Sequence, residues 1–192
     1  MIRTALVLAA PLLLAGCISF GNKEPKMLLS LTSTTAAPAG ALAGGSMADA
    51  IVVLDPVADR RLDVNRVPVQ VNDTEVAYLK DVNWVERPVR QFRRVVAETI
   101  RARGKRLVVE TGDDPAGART TLSGRLVDMG YDARTRSVVV RFDALREDRN
   151  GAIEARRFES IVPGVVPKAE KVAPALNRAA NDVAGQVADW IG

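Results

Sequence analysis

Hydrophobic and polar residues alternate along much of this chain. In 65–79, "NRVPVQVNDTEVAYL", the apolar positions Val67, Val69 and Val71 skip one residue each, and the alternation resumes at Val76 and Tyr78. A period of two marks a strand with one buried face. Asn72 and Asp73 separate the two runs and favour turn backbone, so the segment predicts a hairpin. Three longer runs follow at 118–132, 136–148 and 152–162. The middle one is the clearest: Val138, Val140, Phe142 and Ala144 fall on one side, Val139, Arg141, Asp143 and Leu145 on the other. Polar stretches at 132–135 and 148–151 predict the turns of an antiparallel meander. Gly124, inside the first long run, predicts a bulge. Shorter apolar runs at 26–32, 50–55 and 107–111 predict three more strands.

The period changes twice. Val89, Phe92, Val96 and Ile100, with Val95 and Thr99 beside them, recur every three or four residues and predict a helix over 88–103. Pro88 suits its first turn, where the missing N–H has no helical partner to lose. Glu86 lies near its positive end, and Gly104 is a good stop. A second stripe, Val172, Leu176, Ala179, Ala180, Val183, Val187, Trp190 and Ile191, predicts a carboxy-terminal helix with Pro174 in its first turn. Residues 33–50, rich in Ala, Gly, Ser and Thr, predict a flexible loop. The fold class that follows is α+β: a mixed or mostly antiparallel sheet with two amphipathic helices packed on one face, in a single domain over 26–192.

The first residues follow a different logic. Met1, Ile2 and Arg3 make a short positive end, and 4–14 is an apolar run broken only by Pro11. That run is far shorter than the roughly 20 residues a spanning helix needs. It ends in Leu14, Ala15, Gly16 and Cys17, the pattern of a bacterial lipobox. Small residues at 15 and 16 admit a peptidase, and a thiolate is the nucleophile that accepts a diacylglyceryl group. The expectation is a signal peptide over 1–16, an acylated Cys17 as the mature first residue, and a lipidated tether over 17–25. Two or more acyl chains anchor a protein stably, at about 0.8 kcal/mol per buried methylene. In enterobacterial lipoproteins an Asp after the cysteine holds the product at the inner membrane. Ile18 stands there in this chain, so the expected site is the periplasmic side of the outer membrane, with the inner membrane as the alternative.

Composition narrows the chemistry. The chain has no histidine and one cysteine, which removes Ser-His-Asp and Cys-His catalysis and any internal disulfide. Aromatic residues make up 4%, too few for a base- or sugar-stacking surface. Asp113 with Asp114, and Asp143 with Glu147, are the nearest approach to paired carboxylates; the first pair sits in "GDDPAG", ordinary loop chemistry. "AGALAGG" lacks the Lys and following helix of a phosphate loop. No catalytic or metal site is expected, and no cofactor beyond the acyl chains on Cys17. The net charge of +4 is modest, but its distribution is not. Arg87, Arg90, Arg93, Arg94, Arg101, Arg103, Lys105 and Arg106 cluster along the first helix against Glu86 and Glu98. Arg87, Arg90, Arg94 and Arg101 form a candidate surface for anionic lipid or an acidic partner, since guanidinium forks match phosphate and carboxylate; the alternative is a solvated helix face. Nucleic acid is not an expected partner, because the signal sends the chain away from it. Tyr78 and Trp84, close together in an aromatic-poor chain, are either core between hairpin and helix or an exposed anchor.

The lipobox, the "LLSL" strand, and "RVPVQVNDTEVAYLKDVNWVERPVRQFRRVVAETI" together resemble the ABC-type transport auxiliary lipoprotein family, which includes the PqiC-like lipoproteins of MCE-type lipid-transport systems. The shared pattern is a strand pair, Trp84 shortly before Pro88, then an amphipathic helix; the ending "VADWIG" resembles the family's last helix. Met27 and Leu28 stand where the family often has aromatics, and Asn83 where a basic residue often precedes the Trp. The resemblance implies a non-catalytic, lipid-anchored periplasmic accessory of an ABC/MCE-type intermembrane lipid-transport system. It implies MCE-type and ABC components as partners, with a homo-oligomer among its expectations. A structural or assembly lipoprotein of another envelope machine is the alternative with the same anchor and fold.

Overall fold

The computed structural model describes residues 27–41, 43–104, 106–112, 118 and 120–192. The signal, Cys17, the tether, Lys105, Asp113 and Asp114 lie outside the described residues. In chain order the elements are β1 (Met27–Leu29), β2 (Ile51–Leu54), β3 (Val57–Ala58), β4 (Arg66–Gln70), β5 (Val76–Trp84), α1 (Pro88–Arg103), β6 (Val108–Thr111), β7 (Thr120–Asp132), β8 (Ser137–Asp148), β9 (Ile153–Val162) and α2 (Ala169–Ile191). A 3-10 turn at Met47–Asp49 precedes β2.

The nine strands among the described residues form one mixed sheet, and β7 is its spine. Along one edge β7 pairs antiparallel with β8 from Thr120↔Asp148 to Asp132↔Ser137, and β8 pairs antiparallel with β9. Along its other edge β7 carries three parallel strands in succession: β2 at Ile51↔Thr120, β3 at Val57↔Arg125 and β4 at Val69↔Tyr131. β2 continues the sheet to β6, and β4 to β5 and then β1. The predicted α+β class and the meander are therefore present, and the parallel pairings make the sheet mixed.

Both helices cover the same face. Phe92 of α1 meets Phe142 of β8 edge-on, with ring centroids 5.2 Å apart. Val172, Leu176, Ala179, Ala180, Val183 and Val187 of α2 are fully buried beside it. The small residues in this stripe let α2 lie close to α1 and the sheet; a Cβ on Gly185 would already stand 3.2 Å from the Arg103 guanidinium. Trp190, expected in the core, is only partly buried at the α2 end, 5.5 Å from Phe158.

Three local expectations are corrected. The bulge in β7 lies at Val127, between Leu126↔Phe142 and Asp128↔Arg141, rather than at Gly124. One extra residue there switches the inward positions from Leu122 and Leu126 to Met129 and Tyr131, so both halves of the strand bury apolar side chains. Gly124 is needed for a different reason: at φ +148° a Cβ would stand 2.1 Å from the Asp143 carbonyl and 2.9 Å from the Phe142 ring. Gly104 stops α1 as expected, in an extended conformation at φ −101° with its N–H donating to the Ile100 carbonyl. Pro174 is the sixth residue of α2, past its first turn. It removes one bond to the Glu170 carbonyl, and both residues are exposed, so water can take the place of the missing donor.

The third correction concerns the start of the predicted loop, 33–37, which is tied to both helices. The Thr32 and Thr34 N–H groups donate to the Asn177 and Asn181 side chains of α2 at 2.8 and 2.7 Å. The Ala37 N–H donates to Glu98 of α1 at 2.8 Å. Just upstream, the Leu31 N–H donates to the buried Gln91 side chain at 2.8 Å. Low intrinsic propensity is real here, but distant side chains supply the missing backbone partners.

Glycine at 124 is thus required by space and backbone together. Gly124→Ala is expected to destabilise by more than about 2 kcal/mol. Gly151→Ala, at φ +77° with nothing within 4 Å of the new methyl, should cost only the backbone strain of about 1 kcal/mol. Urea midpoints of the two variants check this ordering. A second expectation concerns acid. A hydrogen bond from the Arg157 guanidinium holds the Asp143 carboxyl below its ordinary range, against a smaller opposing effect of burial. A depressed folded value stabilises above the unfolded pKa of about 3.9 and loses that contribution as pH falls through the folded value. The stability gap between the native chain and Asp143→Asn should therefore be full at pH 6 and narrow on acidification below about pH 4; urea titrations at several pH values read it.

Candidate functional site

The arginines of α1 do not stand free. Arg87 pairs with Asp63 at 3.1 Å, and Arg90 lies 3.9 Å from Asp55. Arg93 reaches both Asp55 at 3.1 Å and Glu110 at 3.7 Å. Arg94 pairs with Glu86. Arg101 bridges Glu98 and Glu110, and Arg103 pairs with Asp189. Arg106 donates to the Asp49 carbonyl and to Thr120. Burial pulls the Arg101 guanidinium down, but its hydrogen bonds to Glu110 and Glu98 outweigh this and hold its pKa above the ordinary value.

Only Glu86 and Glu98 of these counter-charges are visible along the helix itself. Asp55, Asp63, Glu110 and Asp189 arrive from other elements on folding. The candidate surface is therefore a mosaic of both signs. Arg87, Arg90 and Arg94 remain about half exposed at 57, 58 and 49%, while Arg101 is drawn in to 31%.

Tyr78 and Trp84 share β5 but part company. Trp84 is buried, pairs opposite Leu29, and its indole N–H has no hydrogen-bond partner among the described residues, so it serves packing. Pro88 is buried at the start of α1. Tyr78 is half-exposed, with the Arg66 guanidinium 4.1 Å above its ring. Two irregularities separate the aromatics: Asp81 at φ 60°, and a register shift against β4 between Arg66 and Pro68.

Among the described residues β1 pairs with β5 from Val82 to Trp84. The start of α2 lies opposite. Between them is a cavity of about 510 Å³ lined by Met27, Val69, Tyr78, Leu79 and Ala169, with Lys80, Asp81, Lys168 and Glu170 also on its walls. Its residues come from β1, β4, β5 and α2, and no single periodicity in the sequence gathers them.

The opposite face of the sheet carries several paired charges. Arg61 meets Asp128 at 2.5 Å, Arg141 pairs with both Asp128 and Glu159, and Arg157 forks Asp143 at 2.5 and 2.7 Å. Asp143 is thus committed to a guanidinium rather than poised beside Glu147. Among the described residues no group of three or more Cys, Asp or Glu side chains is arranged to hold a metal ion, and no helix is long and apolar enough to cross a membrane.

Comparison with solved structures places this architecture. A crystal structure of an uncharacterised protein superposes with a TM-score of 0.68 at 15% identity, covering 88% of this chain and all of that one. A Xanthomonas campestris protein of the DUF330 family superposes with a TM-score of 0.69, also at 15% identity, covering 85% of this chain and 93% of that one. At such identity the likeness shows the shared fold. Comparison with curated proteins gives no match. The family model for the ABC-type transport auxiliary lipoprotein component matches residues 30–188, from just after β1 nearly to the end of α2. Its match covers most of the chain, and the chain belongs to that family.

Proposed function

We propose that this protein is a lipid-anchored, non-catalytic accessory of an ABC/MCE-type intermembrane lipid-transport system, held on the periplasmic side of the outer membrane. The observation that carries the reading is the family match over residues 30–188, directly downstream of the Leu14-Ala15-Gly16-Cys17 lipobox. Acyl chains on Cys17 confine the domain to a thin layer beside the bilayer and raise its local concentration for a transport component arriving there. Such a role requires recognition and position, not bond-making. The pairing of the carboxylates and guanidiniums described above with one another supports this.

In this reading the mixed-charge mosaic on α1 meets a protein partner. Interleaved Arg and Asp or Glu suit a complementary polar rim better than a uniformly anionic membrane.

Two expectations follow from the anchor and from the mosaic. Cys17→Ala should move the protein out of the membrane fraction and abolish transport function while its thermal midpoint stays unchanged; full complementation by that variant at native expression would contradict the anchoring logic. Arg90→Glu combined with Arg94→Glu should lower recovery of the MCE or ABC partner in co-purification by at least about fivefold, equivalent to 1 kcal/mol or more. Vesicle binding should be unaffected, and undiminished partner recovery would return these residues to an ordinary solvated face.

A further inference from the structure

We propose that β9 is a self-pairing edge: two copies of this chain join antiparallel through residues 153–157, with Ala155 on the two-fold axis, so that their sheets become one. Such pairing needs neither the anchor nor the transport reading, since it uses only described residues of the domain.

β9 pairs with β8 alone among the described strands. The undescribed segments 1–26 and 113–117 join the chain at β1 and between β6 and β7, and β1 and β6 both lie across β7 from β8. The turn sets the phase of the edge. The Asp148 N–H donates to the Ala152 carbonyl at 3.0 Å, so even-numbered residues of β9 bond β8, and odd-numbered ones turn their N–H and C=O away from it. Glu159 agrees: its carbonyl accepts from Gln186 of α2 at 3.1 Å. Among the described residues nothing bonds the outward groups of Ile153, Ala155 or Arg157, and residues 153–157 are exposed. Proline, a bulge or a covering element usually guards such an edge. Here the register with β8 is unbroken, and α2 reaches β9 at Phe158, Glu159 and Ser160, beyond the open stretch.

Charge selects the occupant and the register. Outward groups must meet outward groups, so the axis passes through a residue. Centred on Ala155, the pairing sets Glu154 opposite the second copy's Arg156, twice over by symmetry. Arg156 has no carboxylate partner among the described residues and lies over the Phe158 ring at 5.2 Å; Glu154 is 3.3 Å from Arg146 and would stand between two guanidiniums. A centre at 154 opposes Glu to Glu, and centres at 156 or 157 oppose Arg to Arg. A centre at 158 needs the Glu159 carbonyl that Gln186 holds, and one at 153 runs into the turn.

The same register gathers exposed apolar side chains. Leu145 of β8 stands opposite Ala155, and both point to the face away from the helices. Across the axis Leu145, Ala155 and their copies form one apolar row over four strands. Ile153 flanks that row, and at 64 and 41% exposure Ile153 and Leu145 have surface left to bury there.

Disulfide trapping tests this in isolated membranes, on the full-length chain carrying Ala155→Cys. Facing residues of a hydrogen-bonded antiparallel pair have Cα atoms about 5.5 Å apart, within disulfide reach. Mild oxidation is expected to give a homodimer, with the bond mapped by peptide mass spectrometry to position 155 in both copies. Ile161→Cys, exposed on the same strand, would stand about 12 positions, or about 40 Å, from its own copy in this register and should stay unlinked. Adding Arg156→Glu or Glu154→Arg to Ala155→Cys sets like charges opposite, and each should cut linkage at least about fivefold. Co-expressing those two variants with different tags should restore linkage as the heterodimer, because every Glu then meets an Arg, and that recovery shows both are folded. Absence of the 155–155 bond overturns the proposal, as do equal linkage at Ile161→Cys, undiminished linkage in the charge variants, or no heterodimer. An Ala155→Cys adduct to a different protein in place of the homodimer assigns the edge to that protein's strand and overturns it too.

Discussion

The structure depends on one long strand serving two partners along opposite edges. β7 holds β8 over its whole length on one side and three separate parallel strands on the other. In a 13-residue strand of unbroken alternation the even-numbered positions would stay inward, and Met129 and Tyr131 would face outward. The extra residue at Val127 resets the alternation, so that Leu122 and Leu126 before it, and Met129 and Tyr131 after it, all enter one core. Two glycines permit the close approaches this requires. Gly124 admits the Phe142 ring, and Gly130 admits the Pro68 backbone, where a Cβ would stand 2.5 Å from its carbonyl oxygen.

Much of this was legible in the sequence where the signal was local. The α1 stripe from Val89 to Ile100, bracketed by Pro88 and Gly104, places the helix at its observed bounds. The period-two run around Phe142 places β8, and the short polar stretches at 132–135 and 148–151 place its turns. Even the bulge left a trace, since Leu126 and Met129 are spaced three apart in a strand; the glycine at 124 drew attention away from it. What could not be read was anything supplied from a distance. The fastening of residues 32–37 depends on Asn177, Asn181 and Glu98, well over a hundred positions away in two cases. The parallel pairings of β7 with β2, β3 and β4 follow from topology, which periodicity does not encode.

The same distinction governs the charges. A helix with so many arginines looks, in sequence, like a surface built to attract anions. In the fold, carboxylates from Asp55, Asp63, Glu110 and Asp189 converge on it from other elements and convert it to a mosaic. Salt bridges of this exposure add little stability individually, about 0–1 kcal/mol, but they remove most of the long-range field. A count of arginines therefore says little about where an anionic partner is drawn; what matters is which cations are left over once the chain has folded.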